Sequence, residues 1–239
     1  MAETARKDEG KALRIHQAIA QQLGTAILSG EYQPGDPLNG EIEQALALGV
    51  SRTPYREAVR ILVAKGLLES RPKAGTRVTP RDRWNLLDPD VLAWMFMGTP
   101  DETFIQDLFE LRGLLEPAAA EFAAARRTPA QLDQMKQALE EMRRHGLAQL
   151  DGQAADRQFH RAILAAAGNL ALASLASSVG AAVQWTTDFK QRGKAKPRDP
   201  LPEHEAVYEA IALGDPARAR AAMTELLGLA FDDMAAALR

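Results

Sequence analysis

GVSRTPYREAVRILVAKGLLE, residues 49–69, is the stretch whose reading decides the fold. Gly49 suits the position just past a short helix over about residues 40–46, where a left-handed backbone is usually needed. Ser51 stands directly before a new helical pattern, so its side chain is expected to cap an orphan backbone N–H, and Pro54 is tolerated in the first turn. Tyr55, Ala58, Val59 and Leu62 recur at helical spacing and predict a buried stripe. Arg52, Arg56 and Arg60 recur every four residues on another face. A helix with an apolar back and a basic front suits the major groove of DNA. There Arg reaches guanine O6 and N7 with two hydrogen bonds, and Thr53 reaches a base edge or a phosphate.

Working outward, residues 67–70 and 76–79 predict two short strands joined by Arg71-Pro72-Lys73-Ala74-Gly75, a wing tip. Gly75 permits close backbone approach to DNA, and Lys73 stands where a phosphate or the minor groove would lie. From Ser51 to Val78 there are seven basic residues (Arg52, Arg56, Arg60, Lys65, Arg71, Lys73, Arg77) against two acids, Glu57 and Glu69. The whole chain is at −3, so this segment is a basic island on an acidic protein, the charge footprint of a nucleic-acid reader. Each arginine alone would be read as part of a solvated face; turn, cap, spacing and wing together point to DNA. The candidate DNA-binding residues are Ser51, Arg52, Thr53, Arg56, Lys73 and Gly75.

The rest of the 239 residues reads differently. Residues 81–239 carry 18 basic and 23 acidic side chains, so the body is not expected to be a second DNA surface. Zero Cys excludes disulfides, thiol chemistry and Cys-based zinc sites, and fits a reducing cytoplasm. No signal-like segment or apolar run of membrane length is read, so a cytoplasmic protein without a membrane partner is expected. A short helix over residues 90–97 follows Asp88-Pro89. Long helices are predicted over about 101–126, 129–146, 148–167, 169–190, 202–213 and 215–237, separated by Gly, Pro and Asn signals. The expected fold is mostly α: a winged helix-turn-helix domain over 1–80, a linker helix over 81–100, and an all-α helical bundle over 101–239 for effector binding and dimerisation.

One constellation in the body has chemical content. Asp156 and His160 lie four apart on one helix face, and His204 begins another helix. A carboxylate and two imidazoles can hold a divalent metal with open positions. The plain alternative is a helix-surface ion pair. Asn169 either lines a pocket or caps the helix after Gly168.

SGEYQPGDPL, GVSRTPYREAVRILVAKGLLE and KAGTRV resemble the winged helix-turn-helix of the GntR family of bacterial transcription regulators, over roughly residues 11–79. Residues 39–42, Asn-Gly-Glu-Ile, depart from the pattern common in that family, so a contact made there by some members is absent. LRGLLEPAAAEFAA, ADRQFHRAILAAAGN and EHEAVYEAIALGD resemble the helical ligand-binding domain of its FadR subfamily. The resemblance implies that Asp156, His160 and His204 match three of four metal ligands, zinc or a similar divalent ion. The fourth, a His three residues after the Met of the last helix, is replaced by Leu226. It also implies that Arg112 points into the pocket, where its fork matches the carboxylate of an effector. The effector-binding set is then Arg112, Asp156, His160, Asn169 and His204.

RDRWNLLDPDVLAWMF, residues 81–96, looks like the linker of sugar-acid regulators in the family. That likeness implies a galactonate-like aldonate as effector. The expectation is a homodimeric repressor, not an enzyme, that reads palindromic operator DNA and is released by a small carboxylate. The alternatives are a regulator sensing another carboxylate or an acyl-CoA, and a metal-dependent enzyme carrying a DNA-binding head.

Overall fold

The computed structural model describes residues 2–38, 40–71, 75–98, 100–192 and 198–238, with side chains from residue 15 onward except at 41 and 44. The chain divides into two compact units, Met1–Thr99 and Pro100–Arg239.

In the first unit, helix α1 (Ala2–Leu28) buries Ile19, Ala20, Leu23 and Ile27 along one stripe. It packs on α3 (Arg52–Ala64) and α4 (Pro89–Met95). Gly24 lets it pass: a Cβ there would stand 2.3 Å from the Trp94 ring. Helix α2 (Glu41–Ala47) is closed by Gly49 at φ 65°, with Gly49 N–H donating to Leu46 O and Val50 N–H to Ala45 O. Those paired bonds make a Schellman stop and set α2 against α3. Helix α3 buries the expected stripe of Tyr55, Ala58, Val59 and Leu62.

The expected Ser51 cap is not made. Ser51 holds the extended N-cap backbone, but its side chain accepts no capping hydrogen bond. Pro54 at the third helical position has no N–H to give, which removes one of the two backbone donors such a cap can use.

Strands β1 (Leu68–Arg71) and β2 (Gly75–Val78) pair antiparallel, Leu68 opposite Val78 and Arg71 opposite Gly75, one residue from the expected bounds. The chain before α2 lies along β2: Leu38 N–H donates to Thr76 O and Val78 N–H to Asp36 O. After a turn at Pro34 and Gly35, the chain thus lines the wing through an isolated bridge, Pro37 opposite Arg77. Helix α4 starts at Asp88, whose side chain accepts from Asp90 N–H and Val91 N–H; Val91 and Trp94 sit in the same core as α1 and α3.

The second unit is helical throughout its described residues: α5 (Glu102–Arg126), α6 (Pro129–His145), α7 (Leu150–Ala166), α8 (Leu170–Ser174), α9 (Ala176–Arg192), α10 (Leu201–Leu213) and α11 (Pro216–Ala237). Asp101, Asp215 and a Thr128–Gln131 capping box start α5, α11 and α6. Helix α5 packs on α7, α10 and α11, and α7 packs between α6 and α9. Buried Ala119, Ala120, Ala123 and Ala124 keep α5 close to its neighbours. The helix expected over 169–190 is two helices, broken at Leu175. Ser174 Oγ donates back to Ala171 O there, a bond that bends helices, and Asn169 gives α8 its own cap. No described helix is long and apolar enough to cross a membrane.

Candidate functional site

The exposed side of α3 carries Arg52, Thr53 and Arg56, flanked by Ser51, with Gly75 exposed on the wing. Lys73 lies outside the described residues. The basic island is narrower than its seven residues suggest. Arg60 pairs with Glu57 at 2.7 Å and Arg71 with Glu69 at 3.1 Å. Arg77 donates to Gly35 O at 3.0 Å and ties down the wing. Lys65 is turned inward, bonded to Asp88 at 2.6 Å and Asp90 at 2.7 Å. Burial alone would lower Lys65, but these two carboxylates outweigh it and hold its pKa above the ordinary value. Among the described residues of α3, Arg52 and Arg56 remain as exposed cations without an ion pair.

In the helical unit, α7 presents Asp156 and His160 on its buried face and α10 presents His204 from its first turn. Their ligand atoms all lie within 4.8 Å of one another, and all three residues are buried. Asp156 Oδ1 is 3.0 Å from His204 Nε2 and 3.5 Å from His160 Nε2, while Thr187 Oγ1 on α9 donates to Asp156 Oδ2 at 3.2 Å. The Phe159 ring stands 5.3 Å from the His204 ring and walls one side.

A residue that sequence reasoning passed over completes the arrangement. Glu116, 1% exposed on α5, accepts from Arg112 Nε at 2.6 Å and binds His160 Nδ1 with its other oxygen. The signal was available: Glu116 follows Arg112 by one helical turn and so shares its face. Burial would push Glu116 up, but the Arg112 guanidinium and the His160 imidazolium hold it at about 2. Burial would likewise raise Asp156, and the bonds from His160 and His204 hold it below the usual carboxylate range. His160 would be lowered by burial, yet Glu116 and Asp156 together raise it to about 9. The site is thus a chain of alternating charge, Arg112, Glu116, His160, Asp156.

The donor set fits a metal. The Pro200 carbonyl can only accept, so His204 Nδ1–H donates to it at 2.7 Å. Glu116 takes His160 Nδ1 in the same way. Each imidazole has one nitrogen committed to an acceptor and its Nε2 turned toward Asp156, the orientation that second-shell acceptors impose on metal-ligating histidines. Asp156, His160 and His204 would hold a divalent ion and leave positions for ligand oxygens, where the ion would serve as a Lewis acid. Leu226, 2% exposed, is packed in the apolar core and offers no ligand. Asn169 is committed elsewhere: its side-chain oxygen accepts from Ala171 N–H at 3.0 Å and Leu172 N–H at 3.2 Å.

Comparison with known proteins agrees with both halves. The pattern described as bacterial regulatory proteins, gntR family, matches residues 15–78, and the FCD domain matches residues 107–229. The chain is similar to the galactonate operon transcriptional repressor of Escherichia coli (strain K12), 36% identical over 194 residues, which cover 81% of this chain and 85% of the relative. It is also similar to the HTH-type transcriptional regulator LutR of Bacillus subtilis (strain 168), 34% identical over 205 residues, 82% and 90% of the two chains. A solved structure of Lar, which controls expression of the Listeria monocytogenes agr system, superposes with a TM-score of 0.63 at 18% identity, covering 92% of this chain and 96% of that one; this likeness is one of fold. These relatives are transcription regulators, not enzymes. With a winged head and a helical FCD unit, the chain belongs to the GntR family of bacterial transcription regulators.

Proposed function

We propose that this regulator is a repressor of sugar-acid catabolism that binds a palindromic operator as a homodimer. A small sugar acid, galactonate or a related aldonate, releases it. The observation that carries the reading is the buried Arg112–Glu116–His160–Asp156–His204 chain, which sets a carboxylate-matching guanidinium beside a metal-type ligand set. The galactonate operon repressor among its relatives supports the choice of acid. In this reading Arg112 takes the acid's carboxylate, and a divalent ion held by Asp156, His160 and His204 takes further oxygens. Arg52 and Arg56 read bases; Ser51, Thr53, Lys73 and Gly75 set the head on phosphates and the wing in the groove. The acid must bind the DNA-incompetent state more tightly, and DNA must weaken acid binding by the same factor.

The test is fluorescence anisotropy on DNA from the upstream region of the gene, at fixed salt, with and without galactonate. Tight binding released by galactonate is expected. Binding that galactonate leaves unchanged would sink the assignment of the acid. In the same assay Arg52→Ala should cost about 1–3 kcal/mol per half-site and relax sequence preference. An unchanged ratio between operator and random DNA would remove Arg52 from base reading.

The metal is tested separately. Zinc returned to chelator-treated protein at about a hundredfold excess over its Kd should stabilise the helical unit by about 2.7 kcal/mol. Asp156→Asn should abolish that gain. Equal melting of treated and zinc-loaded protein would leave the cluster as an ion-pair network only.

A further inference from the structure

Beside the Asp156–His204 pair lies a second group of buried polar atoms that the carboxylate and metal reading does not use. Lys190 on α9 is 8% exposed and sits one turn beyond Thr187, the residue that hydrogen-bonds Asp156. Among the described residues it makes no hydrogen bond or ion pair, although it feels the charges of Asp156, Asp233, Arg112 and Arg198. Burial pulls its pKa below the ordinary lysine value against the two acids, so the protein's own anions do not offset its desolvation. Arg198 meets Glu203 through Nη1 at 2.7 Å, and its Nε stands 3.0 Å from Asp233 without a well-aligned hydrogen bond. Among the described residues, Arg198 Nε and Nη2 and Glu203 Oε2 are buried with no hydrogen-bond partner. Glu203 immediately precedes His204, so its orphaned oxygen lies on the ligand-bearing first turn of α10, and Arg198, ahead of that helix, is tied to the same turn through its ion pair with Glu203.

An orphaned buried donor or acceptor is costly to leave unmet, and three such atoms, beside an ammonium with no ion pair among the described residues, call for a partner. The charges in the group already balance: Lys190 and Arg198 against Asp233 and Glu203. A second anionic group on the ligand would upset that balance. What remains unmet is a mixture of N–H donors and a carboxylate acceptor. A hydroxyl group both donates and accepts, and so satisfies both kinds. We propose that Lys190, Arg198 and Glu203 form a hydroxyl-reading subsite beside Asp156 and His204, so that the ligand class of the helical unit is a polyhydroxylated carboxylate, not a simple or acyl-chain acid. This rests on the sugar-acid reading and adds the residues that distinguish a sugar acid from other carboxylates.

The experiment is isothermal titration of the full-length, zinc-loaded protein with galactonate, gluconate and hexanoate, acids of equal carbon number with and without hydroxyls. It is run on the wild type, Lys190→Met and Lys190→Arg. The polyhydroxy acids are expected to bind the wild type far more tightly than hexanoate does. Lys190→Met should weaken them roughly ten- to hundredfold, leave hexanoate unchanged, and be partly rescued by Lys190→Arg. Thermal melting without ligand checks that each variant is folded. Equal binding of hexanoate and the sugar acids, or unchanged sugar-acid affinity in Lys190→Met, overturns the subsite while a carboxylate-responsive regulator stands. Gluconate binding that depends on Lys190, without galactonate binding, keeps the subsite and rejects galactonate. No binding by any of the three removes both the subsite and the sugar-acid reading.

Discussion

Glu116→Ala is expected to destabilise the helical unit by about 3–5 kcal/mol in urea denaturation, because it leaves a buried charge without its partner. Arg112 is 4% exposed and has Glu116 as its closest anion, at 2.6 Å. His160 loses the acceptor that orients its ring, so under the proposed metal reading zinc affinity should fall about 10- to 100-fold as well. Glu116→Gln keeps an oxygen for Arg112 Nε and should cost less. The sign of the pH dependence follows from the lowered pKa. In zinc-free protein the Glu116 contribution is fully present above its ordinary value of 4.5 and is lost as pH falls toward about 2. The gap between wild type and Glu116→Ala should therefore close on acidification through that window. A cost under about 1 kcal/mol at neutral pH, the range of exposed ion pairs, would show that solvent reaches the pair.

Gly66→Ala should disable the head and spare the helical unit. Gly66 ends α3 in a Schellman motif, with its N–H donating to Val63 O and Leu67 N–H to Leu62 O, at φ 76°. An alanine there takes a left-handed backbone at about 1–2 kcal/mol. Its Cβ would also lie 2.1 Å from the Arg83 carbonyl oxygen, a backbone atom with little room to retreat. Overpacking of that kind typically adds about 1–3 kcal/mol. The measurement pairs operator binding with zinc-dependent melting: the first should be lost and the second kept. Retained operator affinity would mean that the turn between α3 and the wing tolerates a side chain.

The head was legible because its punctuation is local. Gly49, Pro54 and Gly66 fix backbone conformations that their neighbours cannot override, and the apolar stripe of α3 follows from spacing alone. At Ser51 the expected cap is missing, and Pro54 leaves it only the Thr53 N–H to accept from. Charge direction was not legible. Lys65 counts as one more cation in the sequence, and only the fold shows it bonded to Asp88 and Asp90. The ligand cluster was half legible. Asp156 and His160 share a helix face and announce themselves by spacing, whereas Glu116 and Lys190 matter through helices packed across α7, a relation that no one-dimensional pattern encodes. The break at Leu175 carries no Gly or Pro to mark it.

The inward turn of Lys65 has a mechanical consequence. Lys65 closes the DNA-reading helix through its backbone, and its single ammonium grips both Asp88 and Asp90 where α4 begins. Trp94 on that element is in turn seated against Gly24 of the first helix. The reading helix is thus tied to the last helix of the head through Lys65, and that last helix to the first through Trp94, so the three form one piece, like a key and its bow. Within the head, α3 therefore ends without a loose joint, and Arg52 and Arg56 ride on one rigid piece. Lys65→Met should loosen that clamp while leaving the lettering on the key intact.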